Sequence, residues 1–500
     1  MRVLFDTNII IHRENHKIIS ESLQKLIKIL NSEGISIIIH PFSKNEIEND
    51  KDSERRKISL SKLETYSLLE SPPNPINDIR FIKLIGEASR KHDEIDNFIL
   101  YAVYKNAVDF LITEDMKILK KAKLISLSER VLSIDDALFV FKGLSKKEKV
   151  HIPPSIKKDF MYNLNLDDPI FNSLKLEYPE FNEWFKKKSR EGRECWVNFM
   201  EDGKIGALLI FKLENEIIPL NPPIPRKKRL KIATMKVIKI GYKIGELLLK
   251  LSIDLAIKNK MEEIYLTHFS KPLDNLVDLI TEYGFKMIGK FNNGEEVFLK
   301  KLMLEKEDIQ GLKPLDILNQ FYPNFYDGIK VKKFIVPIRP QFHQRLFTSF
   351  PGRQTLLEEH IGDFIIEGNS IKKVYLTHSN IKRIKEGDLI LFYRSIDKQK
   401  ITTIGIVEDV FFEMQDLDEI IRIVSKRTVY SRSEINDLLT KPITIIKFRH
   451  LFHLRKGYKL KKLIKRGVLS AAPQTITEIN HESYTIIKNE GGIDRRFTFD

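Results

Sequence analysis

The run Val3-Leu-Phe-Asp6 is the feature that most restricts what this chain can become. A strand-like apolar run closes on an acid, and Thr7-Asn8 and a helical pattern follow. The same rhythm returns at Ile35-Ser-Ile-Ile-Ile39 and at Asp109-Phe-Leu-Ile-Thr113, after amphipathic stretches over 18–30, 43–69 and 94–104. Short apolar runs alternating with helical periodicity predict a small α/β domain with a mainly parallel sheet. A weak last strand at Lys123–Leu127 and a helix near 135–141 are expected to close it over residues 1–145.

In a parallel sheet the carboxyl ends of the strands open onto one crevice, so Asp6 and Asp115 can meet there. Glu46, on the helix begun by Ser43, and Asp96, one turn into the helix 93–106, can face them. Clustered carboxylates repel one another, and a hard divalent cation, Mg2+ or Mn2+, is the natural compensation. Each acid also has a plainer reading: Asp115 as a helix cap, Asp93 with Asp96 as a capping box, Glu46 as a solvated helix acid.

At 500 residues the chain exceeds one ordinary core, and about 150 residues per domain suggests roughly three. Pro153-Pro154, Pro169 and Pro179 mark 146–189 as a connecting segment. A mixed α/β domain follows over 190–302. It has a hairpin at 195–213, a Pro-rich loop carrying Arg226-Lys-Lys-Arg229, a strand 230–238, a helix 245–260, a strand 264–269, a helix 273–283 and closing strands. Residues 303–329 form a linker, and 330–500 are rich in strand signals. That last segment holds 31 Lys and Arg against 20 Asp and Glu and carries most of the net +15, as a polyanion-binding module does.

The single Cys195 excludes a disulfide framework and a cysteine-based metal site, and fits a reducing, cytoplasmic location. The N-terminus lacks the apolar core of a signal peptide, and no run reaches the roughly 18 apolar residues of a membrane helix.

Three resemblances give these segments content. Val3-Leu-Phe-Asp-Thr-Asn8, Ser43-Lys-Asn-Glu46, Asp96-Asn-Phe-Ile-Leu-Tyr-Ala102 and Leu111-Ile-Thr-Glu-Asp115 resemble the PIN-domain nucleases over about residues 1–145. The resemblance implies metal-dependent RNA cleavage. Asp6, Glu46, Asp96 and Asp115 would be the catalytic and metal-binding acids, supported by Thr113 or Asn8, with Asp93 and Glu94 as neighbours competing for the third position.

Strand, glycine-bearing turn, helix, strand and Tyr283-Gly-Phe285 resemble the GNAT acyltransferases over 190–302. This implies acetyl-CoA held at Val237, Lys239, Gly241, Lys243, Ile244, Gly245 and Glu246. Lys243 and Ile240 stand where the family's loop carries its middle glycine and its leading basic residue, and Tyr283 is offered as a general acid. Without the family, the glycine is a tight strand-to-helix turn.

Gly387-Asp388 before an apolar strand, Gly405-Ile-Val-Glu408 and Ala472-Pro-Gln-Thr475 resemble the PUA-like superfamily in its ASCH or EVE branches. A small β-barrel binding RNA is implied. Lys382, Arg383, Tyr393, Arg394, Arg427 and Arg432 would contact the RNA, with Phe392 and Tyr430 available to stack and a basic stretch at 457–467. The alternative is that the aromatics fill the barrel and the lysines are solvated.

The expected class is thus α/β and α+β multidomain: PIN-like α/β, GNAT-like mixed α/β and PUA-like β-barrel. The expected function is an RNA-directed enzyme, a Mg2+- or Mn2+-dependent endoribonuclease joined to an acetyl-CoA-dependent N-acetyltransferase. Toxin or defence roles suit that pairing by analogy only. Expected partners are RNA, tRNA among its classes, and a cognate antitoxin or protein substrate, with no membrane. Two alternatives stand beside it: an acetyltransferase acting on RNA, aminoacyl or protein amines with the first domain as regulator, and a non-catalytic nucleic-acid-binding regulator.

Overall fold

In the computed structural model the chain divides into two units: Met1–Val150 with Ile240–Tyr242 and Met414–Pro442, and His151–Lys239 with Lys243–Glu413 and Ile443–Asp500. The described residues are all but 15–20, 49–52, 54, 55, 58, 59, 61, 62, 64, 65, 70, 71, 87, 89, 145–154, 201, 239–243, 349–363 and 366–369.

The first unit holds five parallel strands: β1 (Arg2–Phe5), β2 (Ser36–Ile39), β3 (Ser67–Leu68), β4 (Phe110–Ile112) and β5 (Val131–Leu132), in the order β3-β2-β1-β4-β5. β1 is central because Val3, Leu4 and Phe5 are all fully buried, as a strand covered on both faces requires. Leu4, Leu111 and Val131 share a core with Ile99, Leu100 and Val103 of the helix Lys91–Tyr104.

The last strand is not at 123–127. Asp115 caps the helix Met116–Leu124, whose final turn carries Lys121 and Lys123 at the negative dipole end, and the strand comes later, at Val131–Leu132.

Residues 414–442, read from the sequence as part of the basic C-terminal segment, pack into this first unit. They form the helices Leu417–Val424 and Arg432–Leu438, started by Asp416 and by a Ser431–Glu434 capping box. Arg422 Nη1 donates to Asp109 Oδ1 at 2.8 Å, and the Ser425 hydroxyl to the Glu129 carbonyl.

The second unit contains an eight-stranded sheet built from β6 (Ser155–Phe160), β7 (Glu194–Phe199), β8 (Ile205–Ile218), β9 (Ile224–Val237), β10 (Glu263–His268), β11 (Lys286–Lys290), β12 (Glu296–Lys301) and, later in the chain, β15 (Phe364–Ile365). Its order is β11-β12-β10-β9-β8-β7-β6-β15, and β9 with β10 is its parallel pair. The expected connecting segment supplies β6 and the helices Asn172–Glu177 and Phe181–Arg190, with Phe171, Phe181 and Phe185 buried against Cys195 and Val197. The expected Pro-rich basic loop is strand from Ile224 onward, and Arg229 is wholly buried on Glu263 at 2.7 Å. In the expected linker, the helix Pro314–Phe321 buries Ile317, Leu318 and Phe321.

β13 (Phe325–Tyr326) pairs with β21 (Thr498–Phe499). A six-stranded sheet has the order β16-β19-β18-β17-β14-β20, from β14 (Lys333–Ile338), β16 (Lys372–Thr377), β17 (Leu389–Arg394), β18 (Lys400–Met414), β19 (Ile443–Lys459) and β20 (Thr477–Ile479). Among the described residues these pairings leave the sheet open, where a barrel was expected. No helix among them is long and apolar enough to cross a membrane.

Candidate active site

The parallel register sets Phe5 beside Ile112, so the next residues, Asp6 and Thr113, emerge together at the carboxyl edge of the sheet. The Asp6 amide donates to the Ile112 carbonyl at 3.0 Å, and Asp6 opens the helix Thr7–Glu14, accepting from the Thr7 amide at 2.7 Å. The Thr113 hydroxyl donates to Asp6 Oδ2 at 2.5 Å and accepts from Asn8 Nδ2 at 3.3 Å. Both residues named as supports are therefore hydrogen-bonded into the strand-end turn.

Glu46 arrives on the helix Pro41–Glu48. It accepts from the Thr7 hydroxyl and meets His92 Nδ1 at 2.6 Å. Asp96 comes from the helix Lys91–Tyr104. It is 3% exposed, and its Oδ2 has no hydrogen-bond partner. Asp115 does cap its helix, through Oδ1, with bonds from the amides of Lys117 at 2.6 Å and Ile118 at 3.2 Å. The carboxylate still lies in a group with His92 and Asp96 whose ligand atoms fall within 4.8 Å of one another. The capping and clustering readings of Asp115 are thus compatible. Of its neighbours in the turn, Asp93 is engaged by Lys117 at 3.2 Å and Glu94 is exposed, which leaves Asp96 turned to the cluster.

His92 was missed from the sequence. It stands four residues before Asp96 on one helix, hence on the same face, and that spacing was the available signal.

Burial pushes the Asp6 carboxyl up to about 7, against the Thr113 hydrogen bond and with help from the charges of Asp96 and Glu46. Burial likewise lifts Asp96 to about 6; Asp115 and Glu46 push the same way, while His92 and Lys121 oppose them. Crowded buried carboxyls, one with an oxygen lacking any partner, are a donor set that suits a hard divalent cation. An imidazole at its rim is tolerated better by Mn2+ than by Mg2+.

The other predicted sites are differently disposed. Lys239, Gly241 and Lys243 lie outside the described residues. Val237 ends β9. Ile244 is buried, and Gly245 admits the close approach of Leu279, whose Cδ2 would sit 3.0 Å from an added Cβ. Glu246 is buried and accepts from the amides of Ile371 at 2.6 Å and Lys372 at 3.1 Å, so its carboxylate is already committed. The parallel pairing of β9 and β10 stops at Ile232 and Leu266, although β9 continues to Val237 along β8. Tyr283 is 1% exposed, packed edge-on against Tyr322 beneath the Arg449 guanidinium, a core residue.

Of the RNA contacts expected, Lys382 and Arg383 are exposed, in surface ion pairs with Glu413 and Glu478. Tyr393, Phe392 and Tyr430 are buried and cannot stack on a base as they stand. Arg394 is buried in a forked pair with Asp397, Arg427 is spent on Glu129, and Arg432 on Asp418. Strand residues alternate faces, and composition does not say which face is inside. The expected basic stretch at 457–467 is also exposed, at Lys459 and on the helix Leu460–Lys465, which presents Lys461, Lys462 and Lys465.

No protein-family model matches this chain, and no curated protein does. Among solved structures, it is similar to the ASCH protein of Zymomonas mobilis at 14% identity, over 32% of this chain and 95% of that one, with a TM-score of 0.25. A GNAT-family acetyltransferase from Listeria monocytogenes is similar at 15% identity over 26% of this chain and 77% of its own, TM-score 0.21. The PaiA N-acetyltransferase of Thermoplasma acidophilum, in complex with coenzyme A, is similar at 15% identity over 29% and 98%, TM-score 0.21. Likenesses this low carry no argument about activity.

Proposed function

We propose that the chain is a divalent-metal-dependent endoribonuclease whose site is the cluster of Asp6, Glu46, Asp96 and Asp115. One observation carries this reading: four acids from four separate segments lie close enough for Asp96 to feel the charges of Asp115 and Glu46, and Asp6 those of Asp96 and Glu46, and the buried Asp96 Oδ2 lacks a partner. Asp96 and Asp115, whose oxygens lie within 4.8 Å of each other and of His92, would hold Mg2+ or Mn2+, with Asp6 charge-coupled to Asp96 and completing the set, and with Glu46 positioned through Thr7 and His92. When bound, such an ion supplies water activation and neutralises charge growing on a phosphate. The protein's own part is orientation. Thr113 fixes the Asp6 carboxylate, the cap fixes Asp115, and Glu46 with His92 offers an exposed edge for a leaving proton. RNA is drawn by the exposed lysines of the helix Leu460–Lys465, through phosphate contacts that carry no sequence information.

The test is cleavage of a labelled RNA by full-length protein with Mn2+ or Mg2+. Asp6→Asn and Asp96→Asn should each cut the rate at least ~100-fold, within the span one electrostatic group commands. Cleavage that survives both substitutions, or survives chelator, overturns the reading.

A second activity, acetyl transfer from acetyl-CoA, is favoured by one feature: the parallel pairing of β9 with β10 ends at Ile232 and Leu266 while β9 runs on along β8 to Val237, a splay of adjacent parallel strands that could admit a cofactor. Calorimetry with acetyl-CoA decides it, and absence of saturable heat removes it.

A further inference from the structure

Three histidines gather round one phenylalanine in the second unit. His343, on the helix Pro340–Leu346, lies 5.0 Å from the Phe347 ring, His450 of β19 5.7 Å and His453 6.0 Å, and the two β19 rings are 4.8 Å apart. The cluster is built, not incidental. The Thr402 hydroxyl meets His343 Nε2 at 2.8 Å, the Thr403 hydroxyl meets His453 Nδ1 at 2.9 Å, and the Lys373 ammonium lies 5.8 Å from the Phe347 ring.

His450 is the exception within it. The residue is 2% exposed, yet neither Nδ1 nor Nε2 has a hydrogen-bond partner. A buried imidazole with a bare donor and a bare acceptor is costly unless something supplies both complements. The charged groups facing His450 and His453 are the ammoniums of Lys250 and Lys373, with Lys250 paired to Asp254 at 2.7 Å. Arg394, beside His343 at 3.5 Å, is paired to Asp397. A cation is therefore disfavoured there, and burial together with those neighbours holds His450 and His453 well below the usual imidazole range, as neutral rings. A neutral ring asks for one acceptor and one donor. Hydrogen phosphate carries both, acceptor oxygens and a P–OH, and its charge suits the field of the two lysines; sulfate at neutral pH has no proton to give.

We propose that His450, flanked by His453 and the ammoniums of Lys250 and Lys373, binds a protonated phosphate-class oxyanion, either free or at the end of a nucleotide. The proposal does not depend on the carboxylate site.

Full-length protein titrated calorimetrically at pH 6 and constant ionic strength, where phosphate is largely H2PO4−, about half of the AMP phosphomonoester keeps its proton and sulfate keeps none, tests it with sodium phosphate, sodium sulfate and AMP. Phosphate or AMP should bind saturably and at least tenfold more tightly than sulfate, and His450→Phe should weaken that binding at least tenfold. Binding of phosphate without AMP identifies a free anion, and binding of AMP identifies a nucleotide-borne one. In the unsubstituted protein, the His450 ring nitrogens should move in long-range 1H–15N spectra on addition of phosphate or AMP, which keeps the test open if the variant does not fold. Equal, non-saturable heats for all three ligands, or unmoved His450 resonances, overturn the proposal.

Discussion

The hydroxyl of Thr113 donates to Oδ2 of Asp6 at 2.5 Å, joining two residues 107 positions apart at the ends of adjacent parallel strands. That bond, ahead of the weaker one from the Thr7 amide, opposes burial in setting the Asp6 charge. Thr113→Val should therefore raise the Asp6 pKa further and move the acidic limb of the pH–rate profile up by about one unit. Thr113→Ser should restore it. Profiles of the three proteins over pH 5–9 check this, and an unmoved limb in the valine variant refutes it.

The same carboxyls make stability depend on pH. Asp6 and Asp96 bind protons up to about 7 and about 6 in the folded chain, against an ordinary 3.8. The unfolded state releases those protons first, so the native state holds more protons between about pH 4 and 7, and stability falls as pH rises through that window. Metal-free Asp6→Asn should melt higher than the unsubstituted protein at pH 8, by on the order of 1–3 kcal/mol, and equally at pH 4. Adding Mn2+ at pH 8 should raise the Tm of the unsubstituted protein alone. Thermal unfolding at the two pH values gives the answer.

Residues 414–442 complete the first unit, with Arg422 on Asp109 and Arg427 on Glu129. Arg422→Ala leaves the partly buried Asp109 with one partner fewer and should cost about 1–3 kcal/mol. A fragment of residues 1–144 should lose more, exposing the face that Ile420, Ile421 and Val424 cover. Circular dichroism melts of the fragment, alone and mixed with a peptide of 414–442, measure both effects.

Lys461→Glu with Lys465→Glu should weaken RNA binding uniformly across sequences and flatten its salt dependence by about two units of slope. Arg394→Ala and Arg432→Ala, which break ion pairs, should lower the Tm and leave that slope unchanged. Filter binding between 50 and 300 mM salt separates the two groups.

Strand ends were readable because they depend on local pattern: an apolar run closing on Asp6 has one place to go in a parallel sheet, and its partner Thr113 follows from register. Asp115 was readable in both of its roles, since a cap and a strand end are both short-range features. What failed was non-local. Nothing in the alternation of β17 says that Tyr393 and Arg394 both end up buried, the second only because Asp397 lies three residues on to receive it. Nor does the amphipathic pattern of Leu417–Val424 say against which core Ile420 and Ile421 will close. His92 fell between the two cases. Its spacing to Asp96 was visible, but an exposed histidine among acids gives no sign of being recruited.

The two-part make-up of the first unit has a consequence in time. Its opening residues leave the ribosome long before Met414–Pro442 are made. At about 5–20 residues per second that interval is on the order of ten seconds to a minute. A nascent chain thus carries its acidic cluster on a fold still missing two helices, next to the very messenger being read. The proposed competence to cut RNA, if it requires the closed unit, is deferred until residues 414–442 have been made and have joined it.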